Sequence, residues 1–250
     1  MEARHKWRLK KSDKLCVEMK FPCPICQSIH PAPKSALSSR VTCVACAHRF
    51  YLAEIRHKDP CFVIYDLETT GLDPQYDEFI QIAAMRFTAG CLVPSETFAR
   101  FAKPRRRISS FIESYTGVGN RHVANADRPE EVLLEFAKWA GDCTLIAHNG
   151  LRFDSKFLAA TCQRHALQTR NIHCIDSIHM SKMLFGKVRG TGHSLDHLVS
   201  RLRIDARHIR RHDARGDVEI LGLAVARMWQ QLELDHAFNG VQRSQTLMPL

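Results

Sequence analysis

Two acids, Asp66 and Glu68, interrupt an apolar run from Phe62 to Thr69. The run is rich in aromatic and β-branched residues, which reads as a buried strand. Residues i and i+2 of a strand project to the same face, so the two carboxylates stand side by side near its end. Thr69-Thr70-Gly71 then turns the chain away. Buried acids need a partner, and a hard divalent cation such as Mg²⁺ suits an oxygen cluster of this kind. Taken alone, an Asp-x-Glu pair also reads as a strand running out into solvent, so the rest of the chain has to discriminate.

A second chemical pattern lies upstream. Cys23-Pro24-Ile25-Cys26 and Cys43-Val44-Ala45-Cys46 are separated by sixteen residues. Two Cys-x-x-Cys hooks at this distance fit one tetrahedral four-cysteine Zn²⁺ site, with each pair on a tight turn so that its thiolates reach the ion at ~2.3 Å. His30 and His48 are alternative ligands, with surface positions the simpler reading for both. A module over residues 1–57 with few apolar side chains builds little core, so the metal would hold it together.

The chain has 250 residues, 45% of them apolar, a formal charge of +10 and a pI of about 9.3. The excess charge is uneven. Residues 1–60 carry 12 Lys and Arg against 5 Asp and Glu, whereas residues 61–250 carry 24 against 21. A basic N-terminal part predicts a polyanionic partner such as nucleic acid, with a solubilising surface as the plainer alternative. No apolar run approaches the ~20 residues of a membrane span. The N-terminus lacks the apolar stretch of a secretory signal. These features predict an intracellular, cytoplasmic protein away from membranes; the lysine-rich start is a nuclear address, a phosphate-binding arm or a solvated tail. Cys61, Cys91 and Cys143, in apolar settings, read as reduced core residues.

These groups have to be positioned by the elements between them. A linker at 56–60 separates the hooks from a second domain over residues 61–234, and residues 235–250 read as a tail. Strands at 79–87 and 97–101 follow the Asp66 strand as an antiparallel meander. Lys103-Pro104-Arg105-Arg106-Arg107 is a solvated turn or a phosphate rail. Pro129 opens a helix to Ala140 that Gly141 stops. A strand at 144–147 is broken by His148-Asn149-Gly150, and a helix at 153–166 carries Asp154. A strand at 171–175, a helix at 177–184, a glycine-punctuated basic loop with Gly186, Gly190 and Gly192, and a helix capped by Ser194 follow. The last long helix runs over about 214–232. Strands first, then strands alternating with helices, predict a mixed α/β sheet with helices on its faces.

The order of the acids raises the specificity of the pattern. Asp66-x-Glu68 precedes His148-Asn149-x-x-x-Phe153-Asp154, which precedes His212-x-Ala214-x-x-Asp217. With these motifs, and with Gly192-His193-Ser194-Leu195-Asp196-His197-Leu198 before the last of them, residues 61–232 resemble the DEDDh exonucleases. That superfamily includes the proofreading epsilon subunit of bacterial DNA polymerase III, ribonuclease T and oligoribonuclease. The resemblance implies a ribonuclease H-like fold with a five-stranded sheet edged by the meander. It implies that Asp66, Glu68, Asp154 and Asp217 bind two Mg²⁺ or Mn²⁺ ions and that His212 transfers a proton. It also implies that Thr69, Leu72 and Asn149 hold the terminal nucleotide, with core packing the plain alternative for Leu72 and Phe153. Asp213 directly follows His212, where an N-cap is expected, so Asp217 is assigned to the metal and Asp213 to the cap or the surface.

The expected activity is metal-dependent 3′–5′ exonucleolysis releasing nucleoside 5′-monophosphates from DNA or RNA. The alternative is a nucleic-acid-binding or adaptor protein that keeps the fold without turnover. The zinc ribbon, which the minimal exonuclease pattern lacks, would contact nucleic acid or a protein partner.

Overall fold

Each cysteine hook closes a short hairpin. β1 (Met19–Pro22) pairs antiparallel with β2 (Ile29–Ala32), and β3 (Arg40–Thr42) with β4 (Arg49–Tyr51). The Cys23 amide donates to the Ser28 carbonyl at 2.9 Å, and the Cys43 amide to the His48 carbonyl at 2.8 Å. The computed structural model describes residues 19–23, 25–26, 28–32, 40–51, 61–88, 90–186, 192–234 and 238–250. Residues 1–18, the linker at 56–60 and Gly190 lie outside the described residues.

The main sheet is built on β5 (Phe62–Thr69), β6 (Phe79–Thr88) and β7 (Cys91–Phe101), which form the expected antiparallel meander. β8 (Thr144–Ala147) lies parallel to β5, and β9 (Thr169–Asp176) parallel to β8. β10 (Ser244–Pro249) runs antiparallel to β9, giving the order β10-β9-β8-β5-β6-β7. The helices are α1 (Ser110–Thr116), α2 (Asn120–Val123), α3 (Pro129–Ala140), α4 (Asp154–Arg164), α5 (Ser177–Phe185), α6 (Leu195–Arg201) and α7 (Ala214–Gln231).

The alternation of β5 decides where the acids go. Phe62 and Ile64 pack with Val218, Leu221 and Val225 of α7. Val63, Tyr65 and Leu67 pack on the opposite face with Phe136 of α3 and Phe157 of α4. Asp66 and Glu68 continue the even series, so they open toward α7, the helix that carries Asp217.

Two expectations are corrected here. The sheet has a sixth strand, and it comes from the segment read as a tail. Thr246 and Met248 are buried on one side of β10, and the Thr246 hydroxyl donates to the Ser155 carbonyl at 3.1 Å. Just upstream, Phe238 is buried between Phe62 and Phe87, at ring-centroid distances of 4.6 and 5.8 Å. Burying a ring of that size contributes ~1.5–3 kcal/mol, so this segment belongs to the core.

Second, Cys61 and Cys143 are not free thiols: they form a disulfide with a Cα–Cα separation of 4.6 Å. The parallel pairing of β5 with β8 brings their first residues together, and the Thr144 amide donates to the Cys61 carbonyl at 2.9 Å. The Arg86 guanidinium donates to both sulfurs and lies 4.7 Å from the Trp139 ring centre. Cys91 is also disulfide-bonded, while Cys162 and Cys174 are free and buried. No helix among the described residues is long and apolar enough to cross a membrane.

Candidate active site and cysteine cluster

Asp66, Glu68 and Asp217 each present a carboxylate oxygen, all within 4.8 Å of one another. Asp217 sits in the first turn of α7, and that turn is fixed from both sides. The Asp213 carboxylate accepts the Arg215 amide at 3.1 Å, which makes Asp213 the N-cap, as the spacing predicted. Gln81 of β6 donates to Asp213 at 3.3 Å and accepts the Ala214 amide at 3.1 Å. Helix and sheet are therefore locked where the acids meet.

Asp154 approaches from the other layer. It is the first residue of α4 and is buried, and its Oδ1 accepts the Leu67 amide at 3.2 Å. Its carboxylate stands beside the trio and outside the tight group of oxygens. The turn before α4 is held by a residue that sequence reasoning missed. The buried Asp176 carboxylate accepts the amides of Asn149 at 3.0 Å, Leu151 at 3.4 Å and Ile178 at 3.0 Å. An Asp-Ser pair at a strand-to-helix junction is an N-cap signature that could have revealed it. Asn149 itself takes a left-handed conformation, φ +58°, which Asn tolerates better than most residues.

The cage is electrostatically unfavourable by itself. Burial, then the Asp154 and Glu68 carboxylates, hold Asp66 well above the usual carboxylate range. Glu68 is pushed up to about 8 by burial and then by Asp213 and Asp154. Asp154 is pushed up to about 7 by burial, against the opposing Leu67 hydrogen bond. Arg211 offsets part of this charge: its guanidinium donates to Asp217 and, at 3.0 Å, to Asp196. Nothing in the sequence marked Arg211. Clustered, desolvated carboxylates are the donor set that hard divalent cations take, so the residues fit Mg²⁺ or Mn²⁺.

His212 adjoins the cage through its backbone. Its amide donates to Asp217 Oδ2 at 3.2 Å, and its φ is +56°. Its ring centre lies 4.3 Å from that of Tyr115. Burial, then the Arg211 cation, lower its pKa, with Asp196 acting in the opposite direction. The Thr69 hydroxyl donates to the Gly71 carbonyl at 2.6 Å and so shapes the turn that carries Leu72. Leu72 is 83% exposed, which removes core packing as an account of it. Phe153 does pack in the core, 4.9 Å from the Phe157 ring.

The four cysteines of the hooks also converge. Cys23, Cys26, Cys43 and Cys46 offer sulfurs all within 4.8 Å of one another. The Cys23–Cys46 and Cys26–Cys43 sulfurs are 3.6 and 3.5 Å apart. A tetrahedral ion with Zn–S bonds of ~2.3 Å sets its sulfurs ~3.8 Å apart, so the cluster fits Zn²⁺. His48 stacks on Phe50 at 5.8 Å and stands outside the cluster.

The raised carboxylates make a prediction about the metal-free protein. An acid with a higher pKa folded than unfolded binds its proton more tightly in the fold. Its contribution to stability is present at low pH and is lost as the pH climbs through the folded value. In EDTA, the melting temperature should fall between about pH 4 and about pH 8, the span over which Glu68 and Asp154 are shifted. Glu68→Gln should flatten that fall, and saturating Mg²⁺ should reverse it. A profile that Glu68→Gln leaves as steep as before would mean that Glu68 does not drive it.

A mixed sheet with flanking helices, carrying an acid trio at the end of β5, defines the ribonuclease H-like exonuclease architecture. The exonuclease (RNase T) family model matches residues 63–224, and the chain belongs to that family. The PolC-type DNA polymerase III of Latilactobacillus sakei is 36% identical over 161 residues, 64% of this chain and 11% of the polymerase. That of Bacillus cereus is 31% identical over 182 residues, 73% of this chain and 12% of the polymerase. The chain thus spans only a small part of these relatives. Among solved structures, the nuclease domain of 3′hExo, a DEDDh family member bound to rAMP, aligns with a TM-score of 0.60 at 21% identity, over 75% of this chain and 98% of that one. Exonuclease X in complex with 5′ overhanging duplex DNA aligns with a TM-score of 0.57 at 19% identity, over 71% and 96%.

Proposed function

We propose that this protein is a metal-dependent 3′–5′ exonuclease that releases nucleoside 5′-monophosphates from DNA or RNA. The observation that carries this reading is the convergence of Asp66, Glu68 and Asp217, with Asp154 beside them and His212 bonded to Asp217. These four acids would hold two Mg²⁺ or Mn²⁺ ions. Such ions, when bound, activate a water and neutralise charge on the phosphate and the departing oxygen.

The other tasks fall to the chain itself. Asn149, held by Asp176, Thr69 at the end of β5 and Leu72 in the turn after it position the terminal nucleotide. His212 accepts the proton of the attacking water at a ring nitrogen, and its lowered pKa keeps the ring neutral, hence basic, at neutral pH. Relatives at 31–36% identity are DNA polymerases, which favours DNA ends; a solved neighbour holding rAMP keeps RNA in view. Strands of both kinds, labelled at the 5′ end, test the reading with Mg²⁺ or Mn²⁺. Stepwise shortening with nucleoside 5′-monophosphate as product supports it. Internal cuts, or no products with either metal, overturn it.

The cysteine hooks would bind one structural Zn²⁺, and the basic N-terminal part would extend the contact with phosphate. Removing residues 1–57 should leave an enzyme that still cleaves short oligonucleotides. Its binding to a long single strand should lose salt dependence, by ~0.7 in the slope of log affinity against log salt for each lost phosphate contact. Matching slopes for the truncated and full-length forms would instead assign the ribbon to a protein partner.

A further inference from the structure

Arg211 brings a cation to the acid cage from the chain itself. It lies in the bend between α6 and α7, two residues before the Asp213 cap. Its nearest arginines are engaged elsewhere. The Arg210 guanidinium lies against Gly117, and Arg215 is bound to Asp213 at 2.8 and 2.6 Å. Arg211 instead spans two acids: Nη1 donates to Asp217, and Nε donates to Asp196 at 3.0 Å.

The two acids are not equivalent. Asp217 belongs to the trio of converging carboxylates, and its side chain is 10% exposed. Asp196 lies outside that trio, with its side chain 73% exposed. Asp196 is nevertheless a fixed point. It sits in the first turn of α6, which Ser194 caps, and its neighbours Leu195 and Leu198 share a core with Val218 and Leu221 of α7. A positive charge beside Asp217 has two opposed effects. Burial holds the pKa of Asp66 and of Glu68 high, and Arg211 acts on both in the opposite direction, so it offsets their repulsion. By the same Coulomb term it repels a divalent cation on those carboxylates. A partner that merely orients a ligating group strengthens metal binding; a cation that shares the group weakens it. The guanidinium has five donors, so its Nε bond to Asp196 can persist when Nη1 leaves Asp217.

We propose that Arg211 is a positioning residue of the cage, a tethered counter-cation that holds Asp217 in place. It yields Asp217 to a divalent metal ion while staying bound to Asp196. The proposal rests on the metal-cage reading. It adds that Asp196, outside the cage, sets the metal affinity by giving Arg211 a second anchor.

The test is Mn²⁺ titration calorimetry on the full-length protein; the cysteine hooks favour softer ions than Mn²⁺. Arg211→Gln should tighten Mn²⁺ binding by about 5-fold or more, the scale of one unit charge ~4 Å away in a solvated site. The same variant should melt earlier without added Mn²⁺, because the acids then lack their counter-charge. Tighter metal on a less stable metal-free fold is a pair of opposed shifts that a purely structural bond does not produce. Arg211→Lys keeps the charge and should stay near the parent in both. Asp196→Asn should weaken Mn²⁺ binding, because the guanidinium is then left with Asp217 alone. In an Arg211→Gln background that loss should vanish. The proposal is overturned if Arg211→Gln weakens Mn²⁺ binding or leaves it unchanged, or if Asp196→Asn costs the same in both backgrounds. Those outcomes leave the metal cage standing. A parent protein that takes up no Mn²⁺ removes the cage reading, and the proposal with it.

Discussion

Asp217→Asn should reduce phosphodiester hydrolysis by about 10³-fold or more at saturating Mg²⁺, because metal-borne charge stabilisation is worth several kcal/mol in the transition state. Asparagine is the informative replacement. Asp217 accepts from the Arg211 guanidinium and from the His212 amide, and alanine would remove both bonds along with the charge. Asparagine keeps one acceptor oxygen, enough for the His212 amide, and loses the charge together with the second acceptor that meets Arg211. The same reasoning selects Asp154→Asn, which can still accept the Leu67 amide. Neither change should unfold the domain. Asp154 raises the pKa of both Asp66 and Glu68, so Asp154→Asn relieves repulsion in the metal-free state and its melting temperature in EDTA should hold or rise. Turnover within a few-fold of the parent in either variant would sink the metal-cage assignment.

That cage is also where the sequence was most informative. A period of two along β5, with acids at the last two even positions, was enough to place Asp66 and Glu68 together on the face that α7 covers. Asp213 was legible as a cap because it stands between a turn and a long apolar periodicity. The tight turns at the cysteine hooks follow from the same local logic.

What was not legible depends on partners far away in the chain. β10 is a six-residue edge strand whose pairing with β9 spans most of the final third of the molecule, and only Thr246, Met248 and Pro249 of it are buried. The Cys61–Cys143 bond joins residues 82 apart, brought together by a parallel strand pairing that spacing does not encode. Helix α1 was missed because Phe111 and Tyr115 point outward and spoil its apolar period. Leu72 is the same case in miniature. An apolar residue by type reads as core, and only the turn fixed by Thr69 and Thr70 shows it to be exposed. Local pattern thus located the acids proposed to bind metal, and tertiary contacts exposed Leu72, the apolar group proposed to meet the substrate.

Removing the imidazole of His212 should lower kcat by ~10²–10⁴-fold, the scale of general acid–base catalysis, while leaving metal affinity nearly intact. The choice of replacement again matters. His212 holds a left-handed backbone, φ +56°, and its amide serves Asp217. Alanine disfavours that conformation and would move the amide, so a loss in His212→Ala mixes catalysis with distortion of the cage. Asparagine and glycine adopt it readily, and His212→Asn keeps the amide where Asp217 needs it. Mn²⁺ titration calorimetry separates the two roles: unchanged affinity with a collapsed kcat assigns proton transfer, whereas lost affinity assigns a structural role. The pH profile adds a second readout. Burial and Arg211 lower the His212 pKa, and only the neutral ring can accept a proton. The acid limb of kcat/KM should therefore have its midpoint below the ordinary histidine value of about 6.5. It should disappear in His212→Asn, while a limb that survives unchanged would assign the base to another group.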